Sequence, residues 1–271
     1  WAPDETQDGG PRAIILALHG FGDYAPLTFD GPGGYWADRG FVVYAYDQRG
    51  FGRNESRGRW PGADALIADA RAAAAAARAA HPGLPLFLLG HSMGGGVALA
   101  AAAVGDPPEN QPGDPGGIAD GLILAAPAVW GGDRLALPYR AAAWGGALLF
   151  PEKRWTGEGV VRIQASDNIE ALRALGRDQL YLHRPSSREF MGLIRLMDRA
   201  VDAAPKVTVP TLTLYGEKDE VTPKEPIKAA HDAIPAEKTM ILYENGWHLL
   251  FRDLQREVVW ADVANWIETR L

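Results

Sequence analysis

The 271-residue sequence contains no cysteine, which excludes disulfides, thiolate nucleophiles and cysteine-held metal and leaves the redox compartment open. It also lacks any apolar run approaching the roughly 18 residues of a membrane-spanning helix. Residues 1–12 are polar, with no signal-peptide core. A soluble chain is expected, although a start at Trp1 rather than methionine leaves room for an upstream targeting segment or anchor. Long Lys/Arg blocks are missing too, and 34 acidic against 27 basic residues give a net charge of −7, which argues against a nucleic-acid partner. No cluster with metal-ligand spacing is visible, and neither a metal nor another cofactor is expected. Nothing speaks to oligomeric state or compartment. Serine is scarce, at positions 56, 92, 166, 186 and 187.

What is present is a 47% hydrophobic chain of a length ordinary for one α/β domain. Its organising stretch is Leu86-Phe87-Leu88-Leu89 followed by Gly90-His91-Ser92-Met93-Gly94 and an alanine-rich run. That is strand, sharp turn, helix. In a nucleophile elbow the serine sits on the turn with its hydroxyl exposed, and small residues flank it where the backbone is crowded. Gly90 and Gly94 meet that need, and the helix after Ser92 would aim free N–H groups at a nearby oxyanion. The other serines lie in segments without this context.

Further apolar runs fall at Ala13–Leu18, residues 41–46, Gly121–Ala125, residues 209–215 and residues 239–243, separated by helical patterns such as Ala63–Ala80. Such alternation selects a doubly wound, mostly parallel sheet. Residues 105–117, rich in Pro, Gly and Asp, read as a surface loop. Between about 129 and 200 the strand rhythm gives way to helical segments at residues 139–150, 169–175 and 188–202. Residues 1–128 and 203–271 are accordingly expected to form one core, with residues 129–202 a helical cap inserted into it.

An unassisted serine hydroxyl is a poor nucleophile, so a histidine and an orienting acid are sought. Of six histidines, His248 follows the last strand and is the strongest candidate base; His19 and His91 sit beside glycines in turns, where buried hydrogen bonding is the expected role. Asp219 lies in the loop after the preceding strand, with Glu217 and Glu220 as rivals, and the order Ser, Asp, His favours it. Asp47 is expected to fix its own loop by pairing near Arg49. Ser166-Asp167-Asn168 reads as a polar turn. Two backbone donors should hold the oxyanion, the N–H of Met93 after the nucleophile and that of Phe21 after the first strand.

The motifs His19-Gly20-Phe21-Gly22-Asp23, Asp47-Gln48-Arg49-Gly50-Phe51-Gly52, Gly90-His91-Ser92-Met93-Gly94-Gly95, Gly216-Glu217-Lys218-Asp219 and Gly246-Trp247-His248, in this order, make the chain resemble the α/β-hydrolases over nearly its whole length. Within them it looks like the monoacylglycerol lipase and lysophospholipase-like branch, which often has Glu-His where Asp23-Tyr24 stand. The resemblance implies an α/β-hydrolase fold and a serine esterase acting on a single-chain lipid ester, such as a monoacylglycerol or lysophospholipid, through an acyl-enzyme on Ser92. A peptidase or C–C hydrolase on the same elbow, or a ligand-binding homologue without turnover, are the alternatives. Residues 139–150 are apolar and too short to span a bilayer. Trp144 and Leu148 there are either ordinary core or part of a substrate-binding lid that touches lipid surfaces.

Overall fold

The computed structural model describes residues 1–4, 10–103, 117–131, 137–155 and 163–271. Six strands, β1 (Ala13–Leu18), β2 (Phe41–Ala45), β3 (Leu86–His91), β4 (Gly121–Ala125), β5 (Thr211–Gly216) and β6 (Lys238–Tyr243), form one sheet in the order β2-β1-β3-β4-β5-β6, every pair parallel. The α/β-hydrolase expectation holds, with no antiparallel strand among the described residues.

The apolar runs of β1, β3 and β4 lack polar alternation because helices cover both faces of the sheet. Successive residues of β1 show this directly: Ile14, Leu16 and Leu18 join α2 (Ala63–Ala80) and α3 (Met93–Ala102) in one core. Ala13, Ile15 and Ala17 join α1 (Ala25–Ala37) and α8 (Arg256–Glu268) in the other. Fully burying a leucine or isoleucine in this way stabilises the fold by about 1.5–3 kcal/mol.

Two helices escape the sequence pattern. In α1, Pro32 and three glycines mask a helix that is fixed by tertiary contact: Phe29 and Trp36 are fully buried and the Trp36 indole donates to the Trp260 carbonyl at 2.9 Å. The short α7 (Lys224–Ala233) buries only Ile227, Ala230 and His231.

Among the described residues, three α-helices occupy the interval between β4 and β5, namely α4 (Leu137–Leu149), α5 (Ile169–Arg177) and α6 (Ser187–Ala203). The last begins with a capping box, in which the Ser186 hydroxyl accepts from Glu189 N–H and the Glu189 carboxylate from Ser186 N–H. Asn168 caps α5 by accepting from Ala171 N–H, so the polar turn read at 166–168 is a helix start. Residues 105–116 of the expected surface loop lie outside the described residues.

The chain leaves β1 towards β2 and β3 towards β4 in opposite directions. In such sheets a crevice opens beyond the carboxyl ends of the strands where the order reverses. The loops after β1 and β3 meet there, and those after β5 and β6 arrive from one side.

Candidate active site

Ser92 stands between β3 and α3 with φ 52° and ψ −117°, a left-handed conformation that costs a non-glycine residue about 1–3 kcal/mol. Its backbone is held from three sides: its N–H donates to Ala125 O at 2.9 Å, and its carbonyl accepts from Ala128 at 2.8 Å and Gly96 at 3.2 Å. Tight packing explains the flanking glycines. A Cβ on Gly94 would collide with the Leu18 carbonyl, and one on Gly90 with the backbone of Gly94.

His248 follows β6 and reaches both sequence-predicted partners. Its Nε2 lies 3.0 Å from Ser92 Oγ, and its Nδ1 lies 2.8 Å from Asp219 Oδ2. Ser92, Asp219 and His248 thus converge, although 156 residues separate the first from the last. Asp219 is fixed on all sides. Its Oδ1 accepts from the backbone N–H of Val221 (2.7 Å) and Thr222 (2.9 Å), while Oδ2 also accepts from the Thr222 hydroxyl at 2.9 Å. Burial alone would raise this carboxyl. The adjoining His248 and the Thr222 hydrogen bonds outweigh burial and hold it below the ordinary carboxylate range.

The rivals point elsewhere. Glu217 pairs with Lys224 at 2.6 Å, and Glu220 accepts from Gln164 N–H at 2.7 Å. Thr222, which also lies 3.0 Å from His248 Nδ1, escaped sequence reading because a threonine three residues past an acid carries no signal of its own.

Two more histidines brace the site. His19 is fully buried, donates from Nδ1 to the Gly20 carbonyl at 2.8 Å and accepts the Gln48 N–H on Nε2 at 2.9 Å, which ties the β2 loop to the β1 loop. His91 donates from Nε2 to the His248 carbonyl at 2.9 Å, joining the serine turn to the histidine loop. Burial lowers both, His91 to about 3, so both are neutral at physiological pH. The buried hydrogen-bonding role expected of them is what their geometry displays.

The expectation for Asp47 needs correction. It does fix its own loop, by accepting from Arg53 N–H (2.8 Å), and it also holds the start of α1 by accepting from Ala25 N–H (2.9 Å), but Arg49 turns away to Asp69 at 2.7 Å. The arginine near Asp47 is Arg53, whose guanidinium stands 3.8 Å from its Oδ2, because both Arg49 contacts go to the Asp69 carboxylate.

Met93 opens α3, so its N–H precedes the intrahelical ladder, whose first bond runs from Gly96 to Ser92. Among the described residues the Phe21 N–H also lacks an acceptor. The Phe21 ring packs on Phe51, Trp60 and Phe190 with centroids 5.4, 6.4 and 6.2 Å away, making an aromatic wall beside the serine turn. Behind Trp60 a cavity of about 620 Å³ opens between α2 and α6, reaching Ala147 of α4. Ser92, Asp219 and His248 do not line it. Trp144 and Leu148 are 61% and 75% exposed, so neither is core.

Among the described residues no group of three or more His, Asp or Glu is placed to hold a metal, and no helix is long and apolar enough to cross a membrane.

The Hydrolase_4 family, serine aminopeptidase S33, matches residues 9–255. The chain belongs to this family. Its relatives include a monoacylglycerol lipase of Mycolicibacterium smegmatis, 28% identical over all of this chain and 92% of the relative. The monoglyceride lipase of Homo sapiens is 27% identical over all of this chain and 86% of that one. Among solved structures, the Paleococcus ferrophilus monoacylglycerol lipase superposes with a TM-score of 0.79 over 97% of both chains at 21% identity, a likeness that speaks to the fold alone. This S33-family chain is a serine hydrolase.

Proposed function

We propose that this hydrolase cleaves monoacylglycerol-like, single-chain lipid esters through an acyl-enzyme on Ser92. The observation that carries the reading is the continuous line from Ser92 Oγ through His248 Nε2 and Nδ1 to Asp219 Oδ2, at 3.0 and 2.8 Å. Ser92 Oγ attacks the ester carbonyl carbon as its proton passes to His248 Nε2. The carbonyl oxygen becomes an oxyanion between the N–H groups of Phe21 and Met93, where the α3 dipole adds to the field. Collapse expels the alcohol, which takes the proton from His248. Water, deprotonated by the same nitrogen, then releases the fatty acid and restores Ser92. Asp219, held ionised by its surroundings, keeps the proton of the resting imidazole on Nδ1 and stabilises the imidazolium.

The substrate class rests on the monoglyceride lipase relatives and on the aromatic wall of Phe21, Trp60 and Phe190, which suits an acyl chain better than a polar residue. An aminopeptidase would need an acidic side chain free to hold the substrate's amino group. The acid on the Phe21 loop, Asp23, is instead buried and paired to Arg252 at 2.6 Å. Residues 129–202 act in this reading as a cap, and the exposed Trp144 and Leu148 of α4 give it a place to rest on a lipid surface.

A fluorophosphonate probe and p-nitrophenyl esters, applied to wild type and Ser92→Ala, test the reading. Labelling and turnover are expected only in wild type. Persistent labelling of Ser92→Ala would remove Ser92 from its role, and a wild type active on aminoacyl amides but not esters would replace the lipase reading by a peptidase.

A further inference from the structure

The mechanism makes no use of a second carboxylate on the histidine loop. Asp253 is fully buried, and both of its oxygens are engaged. Oδ2 accepts the backbone N–H of Trp247 at 2.8 Å, immediately before His248, and Oδ1 accepts the Ser166 hydroxyl at 2.6 Å. Ser166 belongs to the helical interval between β4 and β5, and its oxygen accepts in turn from Asn168 N–H at 3.1 Å.

Around this pair the same two segments are stitched together. Leu249 N–H donates to Ala165 O at 2.9 Å, Asn168 Nδ2 to Arg252 O at 2.8 Å, and Leu254 N–H to Asp167 Oδ1 at 2.9 Å. Trp247 N–H and Leu249 N–H lie on either side of His248. Together with His91 on the His248 carbonyl, they fix the backbone that carries the base. The segment also reaches the acid loop, where Gln164 N–H meets Glu220.

Keeping a carboxyl in this dry place is expensive. Burial pushes Asp253 up to about 6 against the Ser166 and Trp247 hydrogen bonds, with Asp167 adding to the rise and His248 opposing it. An apolar side chain would avoid that cost, but it would leave the Trp247 N–H and the Ser166 hydroxyl without their partner.

We propose that Asp253 and Ser166 are positioning residues for His248, clasping the backbone at 247–249 so that Nε2 stands within reach of Ser92. The clasp makes residues 164–168 part of the catalytic frame. The inference rests on the roles given above to Ser92 and His248.

The test compares wild type, Asp253→Leu, Asp253→Asn and Ser166→Ala by kcat and KM on p-nitrophenyl butyrate, by the rate of fluorophosphonate labelling, and by Tm. A base displaced by about 1 Å loses on the order of 100-fold in rate, so Asp253→Leu should lower kcat and labelling by about that factor and leave KM within about twofold. Asp253→Asn should recover most of the loss, because its carbonyl can still accept from Trp247 and its amide can donate to Ser166 Oγ. Ser166→Ala removes one hydroxyl from the clasp and should cost about tenfold in kcat; it carries the test if Asp253→Leu does not fold.

A folded Asp253→Leu or Ser166→Ala with wild-type kcat and labelling overturns the proposal. So does an Asp253→Asn as slow as the leucine variant, or a loss confined to KM. A wild type that the probe never labels would instead overturn the reading of Ser92.

Discussion

All ten residues of α3 are buried, whereas α5 buries none of its nine and α4 turns Trp144, Leu148 and Leu149 to solvent. Both regions nevertheless serve the same site, α3 by carrying the Ser92 turn and the interval between β4 and β5 by supplying Ser166 and the Phe190 ring. The difference separates two ways of building a reaction centre. At the sheet, position is enforced by close packing, where an added methyl group has nowhere to go. In the helical interval α6 packs into the core through Leu196 and Ala200, but α4 and α5 are largely open, and at Ser166 position comes from a few hydrogen bonds.

The largest expected effect lies where packing and chemistry coincide. Asp219→Asn keeps the shape of the loop but favours the wrong histidine tautomer, and kcat should fall by about 10⁴ as it does in the serine-protease triad. Glu217→Gln and Glu220→Gln should stay within about threefold of wild type, since Glu217 faces Lys224 and a glutamine at 220 can still accept from Gln164. Steady-state kinetics of the three variants decide the point. Near-normal turnover in Asp219→Asn would move the acid elsewhere.

Two glycine substitutions, read by chemical denaturation, sharpen the contrast. Gly94→Ala drives a methyl group into the Leu18 carbonyl at the serine turn, where nothing can yield, and should cost about 3 kcal/mol or more. Gly145→Ala, within α4, meets nothing within 4 Å and should stabilise by about 0.5–1 kcal/mol through helix propensity. Equal penalties at the two positions would erase the distinction between a packed core and an open interval.

The same contrast explains what could be read without coordinates. The convergence of Ser92, Asp219 and His248 was legible because each follows an apolar run with a glycine at or just beyond its end, Gly90, Gly216 and Gly246, and parallel sheets deliver function at those ends. Helix α2 was legible from alanine propensity, the shared face of Leu66, Ile67 and Ala70, and the His81-Pro82-Gly83 stop. Helix α1 was not: Pro32 and its glycine neighbours contradict its helicity, and only the tertiary seat of Phe29 and Trp36 overrides them. Asp253 and Ser166 were opaque for a related reason. Their meaning is a contact across 87 residues, and neither stands in a motif that announces it. Local pattern reveals the groups that react; the groups that hold them still are chosen by distant partners.

The smallest expected effect concerns the open side of the comparison. Trp144 and Leu148 are 61% and 75% exposed, so replacing both with serine removes little that the fold depends on, and Tm should hardly move. If α4 rests on lipid or guides an acyl chain towards Ser92, those side chains gain their apolar contacts only when substrate is present. Each methylene taken out of water contributes about 0.8 kcal/mol. Losing contact with about two methylenes would then amount to roughly 1.5 kcal/mol, close to tenfold in kcat/KM. The Trp144→Ser, Leu148→Ser double variant should show that loss on dodecanoyl esters and stay within about twofold of wild type on acetate, whose acyl chain is too short to reach α4. Measured at equal folded fraction, a parallel loss on both esters would remove α4 from the substrate's path, and a Tm lowered by several degrees would show that these exposed side chains support the fold.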